Sequence, residues 1–288
     1  MSTVLIDGDI IVYLAGFACQ KTIWTHKSTG EWFEGKKAAN EWWAAQSPDK
    51  MDLEEWESEI KVEPWSNCQF IIDGKIGECK NMTKSDNVMV FLTPSRTFRH
   101  DIAFTRGYKA NRKDAPKPVY HAKILEYLRD EYSAITGGDV EADDLMGMAQ
   151  TPHTCIASTD KDLMQIPGRH YNFTKDKAEA FVTVTPEEGD MWFFEQLLSG
   201  DTTDNIPGVP KIGAKKAADI VESYRDDIPE LLAVIEDLYQ VGYGVAGLDV
   251  MEEQAALLWI LRSGETPANA GWRELLGVDY EESESVSV

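Results

Sequence analysis

Short apolar runs that end in acids, each followed by an amphipathic stretch, dominate the larger N-terminal part of the chain. Thr3-Val4-Leu5-Ile6-Asp7 is the first, and a run this apolar predicts a buried parallel strand whose end carries Asp7 into a cleft. Ile10 to Phe17 continues as a helix. Asn87 to Leu92, Tyr132 to Thr136 and His153 to Ser158 read as further strands, with helices over Tyr120 to Asp130 and from Glu141 onward. Such alternation predicts an α/β fold: a mostly parallel central sheet flanked by helices, with its ligand cleft beyond the strand carboxyl ends. Arg169 to Phe173 and Ala180 to Val184 add an edge pair. Pro186, with Glu187 and Glu188, starts a helix that reaches Leu198.

Elsewhere the pattern is less regular. Thr22 to Thr25 and Glu31 to Phe33, separated by Lys27-Ser28-Thr29-Gly30, predict a hairpin. Lys36 to Gln46 and Trp65 to Cys79 read as helices, and the acidic, tryptophan-bearing stretch Asp49 to Glu63 as a solvated connection. Two glycines, Gly208 and Gly213, bracket a short hairpin before a helix over Ala214 to Tyr224. Their spacing is that of a phosphate-binding P-loop, but Ala214 stands where that loop requires lysine, which rejects a nucleotide site. Pro229 to Arg262 is mostly amphipathic helix, and the serine-rich acidic tail from Asp279 is expected to fray. These readings divide the chain into an α/β core over residues 1–185 and a helical region over 186–288.

A hydrophobic content of 43% over 288 residues supports a globular core, so the chain is not disordered. Its formal net charge of -22 argues against general affinity for nucleic acid. Any such contact must come from local basic patches, metal ions or both. One basic stretch stands out: Arg96, Arg99, Arg106, Lys109, Arg112, Lys113 and Lys117, interleaved with Phe98, Phe104 and Tyr108. It suits gripping phosphates and stacking on a base, the alternative being a solvated charged loop. Cys19, Cys68, Cys79 and Cys155 show neither CxxC pairing nor zinc spacing, as expected of reduced core thiols in a cytoplasmic protein. No stretch reads as long and apolar enough to span a bilayer, and Asp7 and Asp9 interrupt the one candidate leader.

Gly138-Asp139-Val140-Glu141-Ala142-Asp143-Asp144 crowds four carboxylates where a strand hands over to a helix. Like charges so close raise one another's pKa values, and a site holding them ionised would contain a hard divalent cation such as Mg²⁺ or Mn²⁺. The plainer reading is an acidic helix N-terminus favoured by the helix dipole. Ser158-Thr159-Asp160-Lys161-Asp162 adds acids at another strand end, so three strand ends carry carboxylates. Asp201 and Asp204 are spaced to face one way from a helical turn. Backbone amides opening the Ala214 helix, beside Lys215 and Lys216, would bind a nucleic-acid phosphate without reading bases.

Taken in order, these blocks resemble the flap endonuclease / 5′→3′ exonuclease family. They are Leu5-Ile6-Asp7-Gly8, Phe98-Arg99, Tyr108-Lys109-Ala110-Asn111-Arg112, Val140-Glu141-Ala142-Asp143-Asp144, Ser158 to Asp162, Gly200-Asp201-Thr202-Thr203-Asp204-Asn205 and Gly208 to Lys215. The bacteriophage members and the nuclease domain of bacterial DNA polymerase I look most similar. The resemblance runs from about Asp7 to Lys216 and leaves the Lys21 to Glu63 region without a counterpart. It implies a PIN-like nuclease core over 1–185 with a helical gateway at about 96–120, and a DNA-binding region over 186–288 with a helix-hairpin-helix at about 200–224. It further implies two Mg²⁺ or Mn²⁺ ions, with Asp7, Glu141, Asp143 and Asp144 serving the first, directly or through water, and Asp160, Asp162, Asp201 and Asp204 the second, with some sharing. Lys109 and Arg112 would act on the scissile phosphate, with Arg99 and Tyr108 contacting DNA. Gly208, Ile212, Gly213, Lys215 and Lys216 would grip the duplex, and carbonyls from Gly208 to Gly213 would hold K⁺. The implied partners are branched or duplex DNA with a 5′ end, RNA–DNA hybrids and replication proteins, with a monomer acting away from any membrane.

One departure stands out. The family places an aspartate just past the second strand, where this chain reads Leu92-Thr93-Pro94-Ser95. Water or Asp9 substitutes, or the first metal binds more weakly. Two alternatives follow from the residues: a structure-specific DNA-binding protein lacking the first metal, and a haloacid-dehalogenase-type phosphatase, whose nucleophile loop Asp7-Gly8-Asp9 mimics.

Overall fold

The computed structural model describes residues 1–278, so the tail expected to fray from Asp279 lies outside the described residues. In chain order, Thr3–Asp7 forms β1, Gly8–Ala18 α1, Gln20–His26 β2, Trp32–Glu34 β3, Lys36–Ala44 α2, Trp56–Val62 β4 and Trp65–Thr83 α3. Asn87–Leu92 follows as β5, Arg99–Ile102 as α4, His121–Tyr132 as α5, Ile135–Thr136 as β6, Ala142–Ala149 as α6 and Thr154–Ala157 as β7. Gly168–Tyr171 and Phe181–Val184 are β8 and β9. The helices Pro186–Ser199, Ala214–Ser223, Ile228–Tyr243, Gly247–Leu258 and Trp272–Leu276 are α7 to α11.

The contacts group the described residues into two units, one made of 1–8, 79–115 and 134–278, the other of 9–78 and 116–133. The boundary expected at 185/186 does not separate them; it falls inside the first unit, at the start of α7. There the six-stranded sheet runs in the order β6-β5-β1-β7-β8-β9. All neighbours are parallel except β9, which returns antiparallel on β8. Apolar residues on both faces of β1 account for its central place, and register pairs Asp7 with Phe91 and Ile6 with Ala157. The carboxyl ends of β5, β1 and β7 therefore open side by side. Under them Leu5, Phe91 and Ile156 pack with Ala142 and Met146 of α6 and with Leu163, Ile166 and Ile260. A larger apolar core joins α7 to α11, with Phe193, Phe194, Leu197, Leu231, Ile235, Tyr239 and Trp272 at its centre.

In the second unit β3, β2 and β4 form an antiparallel sheet. The sequence predicted only the β2–β3 hairpin and took Asp49 to Glu63 for a solvated connection. Instead Trp56 to Val62 pairs along the whole of β2, from Trp56 against His26 to Val62 against Gln20. The strand escapes notice because only Trp56 is buried; the rest of its side chains are exposed on both faces. Trp56, Trp42 and Trp43 surround His26, at ring separations of 5.0, 5.4 and 5.7 Å respectively.

Other boundaries also move. α5 runs on to Tyr132, leaving only Ile135–Thr136 as a strand. The gateway expected to be helical is mostly loop, with α4 four residues long and a single 3₁₀ turn over Ala110–Arg112. Lys109 there takes a left-handed φ of 54°, which breaks any helix through it. The stretch Ile228–Leu258 is, by length and composition, apolar enough to cross a membrane, contrary to the sequence expectation. It is divided into α9 and α10 at Gly244–Ala246, and Leu231, Ile235 and Tyr239 spend its apolar face on the core.

Candidate functional site

Beyond the carboxyl ends of β1 and β7, Asp7 is buried at 4% exposure and accepts a bond from Ser158 Oγ at 2.9 Å. Ser158 Oγ in turn accepts from the Asp160 amide at 3.0 Å, and Asp160 Oδ1 accepts from the Asp162 amide at 2.9 Å. The loop after β7 is thus folded by its own acids, which fixes Asp160 and Asp162 relative to Asp7. From α6, Asp143 joins them. Burial and the charges of Asp7, Asp160 and Glu141 push its carboxyl well above the usual range, with Lys109 opposing. Asp162 is pushed up to about 7 by burial, Asp160, Asp201 and Asp204. Glu141, Asp143, Asp162, Asp201 and Asp204 line one small cavity of about 30 Å³.

The loop around Lys109 closes over this cavity. Lys109 Nζ lies 2.9 and 2.8 Å from the two Glu141 oxygens and 3.5 Å from Asp204 Oδ2. Burial disfavours its charge, but Glu141 and Asp204 outweigh that and its pKa is raised. Tyr108 OH donates to Asp204 Oδ2 at 2.8 Å and reaches Glu141 Oε2 at 3.1 Å, while Arg112 pairs with Asp204. Asn111 Nδ2 holds the Thr202 carbonyl at 2.8 Å and the Lys109 amide holds that of Asp204 at 3.0 Å. Asp201 and Asp204 do not sit on a helical turn as expected. They belong to a tight loop pinned by a two-way backbone bridge between Asp201 and Ile206.

Three expected roles need correction. Asp144 is fully buried, and Arg99 grips both its oxygens at 2.5 and 2.8 Å. Burial alone would raise its pKa, but Arg99 and the amides of Leu261 and Glu141 hold it below the usual range. Its lone pairs are spent on the protein, which leaves Asp144 a structural acid with no oxygen free to bind a metal directly. Arg99, 3% exposed, completes its bonds on the carbonyls of Leu257 and Trp259 at 2.9 and 2.6 Å and has no face left for DNA. Tyr108 is likewise buried, its hydroxyl committed to the acids and its ring edge-on to His100.

At the hairpin the glycines fit tightly. A Cβ on Gly200, whose φ is 71°, would lie 2.4 Å from the Gly208 nitrogen, so the two backbones touch. Ile212 buries its side chain in the core, whereas Gly213, Lys215 and Lys216 at the start of α8 are exposed. The Gly208 carbonyl, one of those implied for K⁺, accepts from Tyr243 OH at 2.6 Å.

Where the family's aspartate was missed, Thr93 Oγ1 accepts from the Ala142 amide at 3.0 Å and caps α6. Sequence reasoning also missed a buried amide relay. Gln165 Nε2 donates to Gln196 Oε1 at 2.6 Å, and Gln196 Nε2 donates to Asp162 Oδ1 at 2.8 Å. No motif marks either glutamine; only the fold brings them together. Among the described residues no three carboxylate, histidine or cysteine side chains stand ready-made to hold a metal ion. Glu141 and Asp204 are drawn instead onto Lys109, Tyr108 and Arg112. The donors that converge are nonetheless all carboxylate oxygens, the set preferred by a hard divalent cation.

No protein-family model matches the chain. An exodeoxyribonuclease of Enterobacteria phage T3 is 30% identical over 205 residues, which is 65% of this chain and 64% of that protein. The chain is a homologue of the 5′→3′ exonuclease and flap endonuclease family. A 5′-3′ exonuclease of Buchnera aphidicola is 31% identical over 177 residues, 54% of this chain and 58% of that protein. The matches thus span less than two thirds of these relatives' lengths. Among solved structures, the phage T5 D15 protein co-crystallised with metal ions superposes with a TM-score of 0.53, covering 90% of this chain and 89% of that one at 15% identity. The fold is therefore that of the D15 protein: a mostly parallel sheet flanked by helices, with a helical C-terminal part.

Proposed function

We propose that this homologue is a divalent-metal-dependent 5′→3′ exonuclease and 5′-flap endonuclease acting on DNA. The single observation that carries the reading is the meeting of Asp7 and Asp160, from separate parts of the chain, around the buried carboxyl of Asp143, whose pKa burial and then their charges raise. Such mutual repulsion is what bound cations relieve, and the oxygen-only donor set fits Mg²⁺ or Mn²⁺. Asp7, Glu141 and Asp143 would hold one ion, and Asp160, Asp162, Asp201 and Asp204 the other. When bound, the pair supplies a water of lowered pKa and neutralises charge on the leaving oxygen.

The chain's own groups do the rest. Lys109, kept charged by its acidic neighbours, would turn its ammonium to the phosphate oxygens where negative charge spreads in the transition state. Arg112, at the exposed edge of the same loop, would steady the strand. The exposed opening of α8, with Lys215 and Lys216, would hold the duplex backbone away from the cleavage point. Local cations thereby offset a net charge of -22. DNA with a 5′ end is the substrate, RNA–DNA hybrids a further one, and the cytoplasm the place of action.

The test is a 5′-labelled flap and a blunt duplex incubated with Mg²⁺, comparing wild type with Asp143→Asn. Cleavage by the first and not the second is expected; a wild-type protein that leaves both substrates intact would falsify the reading. One rival keeps a specific footing, a structure-specific DNA-binding protein without cleavage, since Thr93 caps α6 where an acid is missing. Tight, metal-independent flap binding with no product would establish it.

A further inference from the structure

A second cavity, of about 210 Å³, opens beside the acids at the carboxyl end of β7 and β8. Ser158 and Asp160 form one wall, so whatever fills it abuts the proposed reaction centre. Opposite them Val182, paired directly with His170 across β8 and β9, and Met164 and Ala180 supply an apolar surface. His170 is 4% exposed and bonds the Ile166 carbonyl through Nε2 at 2.7 Å, which leaves Nδ1 as a buried acceptor with no hydrogen-bond partner. Two exposed lysines, Lys161 and Lys175, stand at the mouth, together with the carboxylate of Glu179. Apolar wall, unpaired acceptor and cationic mouth match in turn a base, its N–H groups and a phosphate. The volume falls below the roughly 300–1,000 Å³ of drug-sized sites, which excludes an oligonucleotide and leaves room for no more than one nucleotide, its phosphate at the open mouth.

We propose that this cavity is the subsite for the 5′-terminal nucleotide of an exonuclease substrate, with its base between Val182 and the Asp160 loop and its 5′-phosphate at Lys175. The inference rests on the nuclease reading and adds what decides product size. Water adds at the phosphorus that joins the first two nucleotides, and the terminal nucleotide's 3′ oxygen leaves, taking up a proton. The seated unit departs as a 5′-mononucleotide with a free 3′-hydroxyl, and the phosphate stays on the shortened strand. A long 5′ flap has no terminal nucleotide within reach and does not use the cavity.

Val182→Trp fills the cavity from an exposed edge strand, and Lys175→Ala removes the phosphate seat; a thermal melt of each checks that it folds. Mononucleotide release from a 5′-phosphorylated blunt duplex is expected to fall about tenfold or more in Val182→Trp, while cleavage of a long 5′ flap stays within about twofold. In Lys175→Ala the preference for a 5′-phosphorylated over a 5′-hydroxyl duplex is expected to vanish. Ligand-observed NMR with 5′-dAMP reads occupancy without any cleavage: wild type binds and Val182→Trp does not. Equal loss on both substrates, no loss on either, or unchanged 5′-dAMP binding overturns the subsite. Should wild type cleave neither substrate, the nuclease reading fails, and a lack of 5′-dAMP binding would separately overturn the cavity's role.

Discussion

Arg99 and Asp144 belong to motifs that the family resemblance assigns to DNA and metal, yet the fold uses them as a buried ion pair. The pair stitches α4 to α6, to the end of α10 and to the segment after it, through Asp144 to the Leu261 amide and Arg99 to the Leu257 and Trp259 carbonyls. Breaking a buried pair strands the remaining charge, so Asp144→Ala is expected to lose about 3–5 kcal/mol, measured by denaturant unfolding. The sign with pH follows from the lowered folded pKa of Asp144: its contribution is full above the ordinary carboxylate range and lost as pH falls through the folded value. The gap between wild type and Asp144→Ala should therefore close on acidification. Lys109 contrasts with Arg99. It sits on a strained left-handed backbone, only partly buried, with its ammonium among acids. Lys109→Ala is expected to lower single-turnover cleavage by about 10²–10³-fold while leaving binding of uncleaved DNA nearly intact.

Two glycines govern the element that joins α7 to α8. Gly200 and Gly208 both take positive φ, 71° and 65°, and each would drive a Cβ into the other's backbone. The hairpin is closed further by Gln254, whose Oε1 accepts from the Gly208 amide at 2.8 Å. Gly208→Ala is expected to destabilise the protein by more than the usual helix-interior penalty of about 1 kcal/mol, read as a lowered melting midpoint. The exposed end of α8 has a different dependence, since phosphate contacts release counterions. The double variant Lys215→Ala/Lys216→Ala should weaken duplex binding whatever the sequence and flatten its salt dependence by a slope of about 2, with kcat on bound substrate unchanged.

At the scale of the molecule, an acidic chain concentrates several carboxylates in one pocket, a cost to folding that bound cations would offset. Asp143→Asn should therefore raise the melting midpoint in metal-free buffer even as it abolishes cleavage. Mg²⁺ at about a hundred times its dissociation constant should stabilise wild type by about 2.7 kcal/mol and the variant by much less. Calorimetry with and without chelator compares the two. The unit that carries β2, β3 and β4 holds its own tryptophan cluster around His26 and accounts for the region that no motif covers.

Periodicity and acids at run ends were enough to place β1, β5 and β7 and to nominate Asp7, Asp143, Asp160 and Asp162, because a buried parallel strand must be apolar throughout and its end must face a cleft. The order of the motif blocks carried the family. β4 was illegible because its side chains, apart from Trp56, meet solvent and bear no alternation. Sequence could not separate Asp143 from its neighbour Asp144, which share charge and motif, or tell that Arg99 is buried and Lys109 is not, since both lie in one basic stretch. Only packing distinguishes them: Asp144 and Arg99 meet each other in the core and spend their bonds there, while Asp143 meets like charges and Lys109 the acids of the half-buried site. The glutamine relay to Asp162 and the cavity beside Asp160 depend on residues distant in sequence becoming neighbours, and no local pattern encodes that.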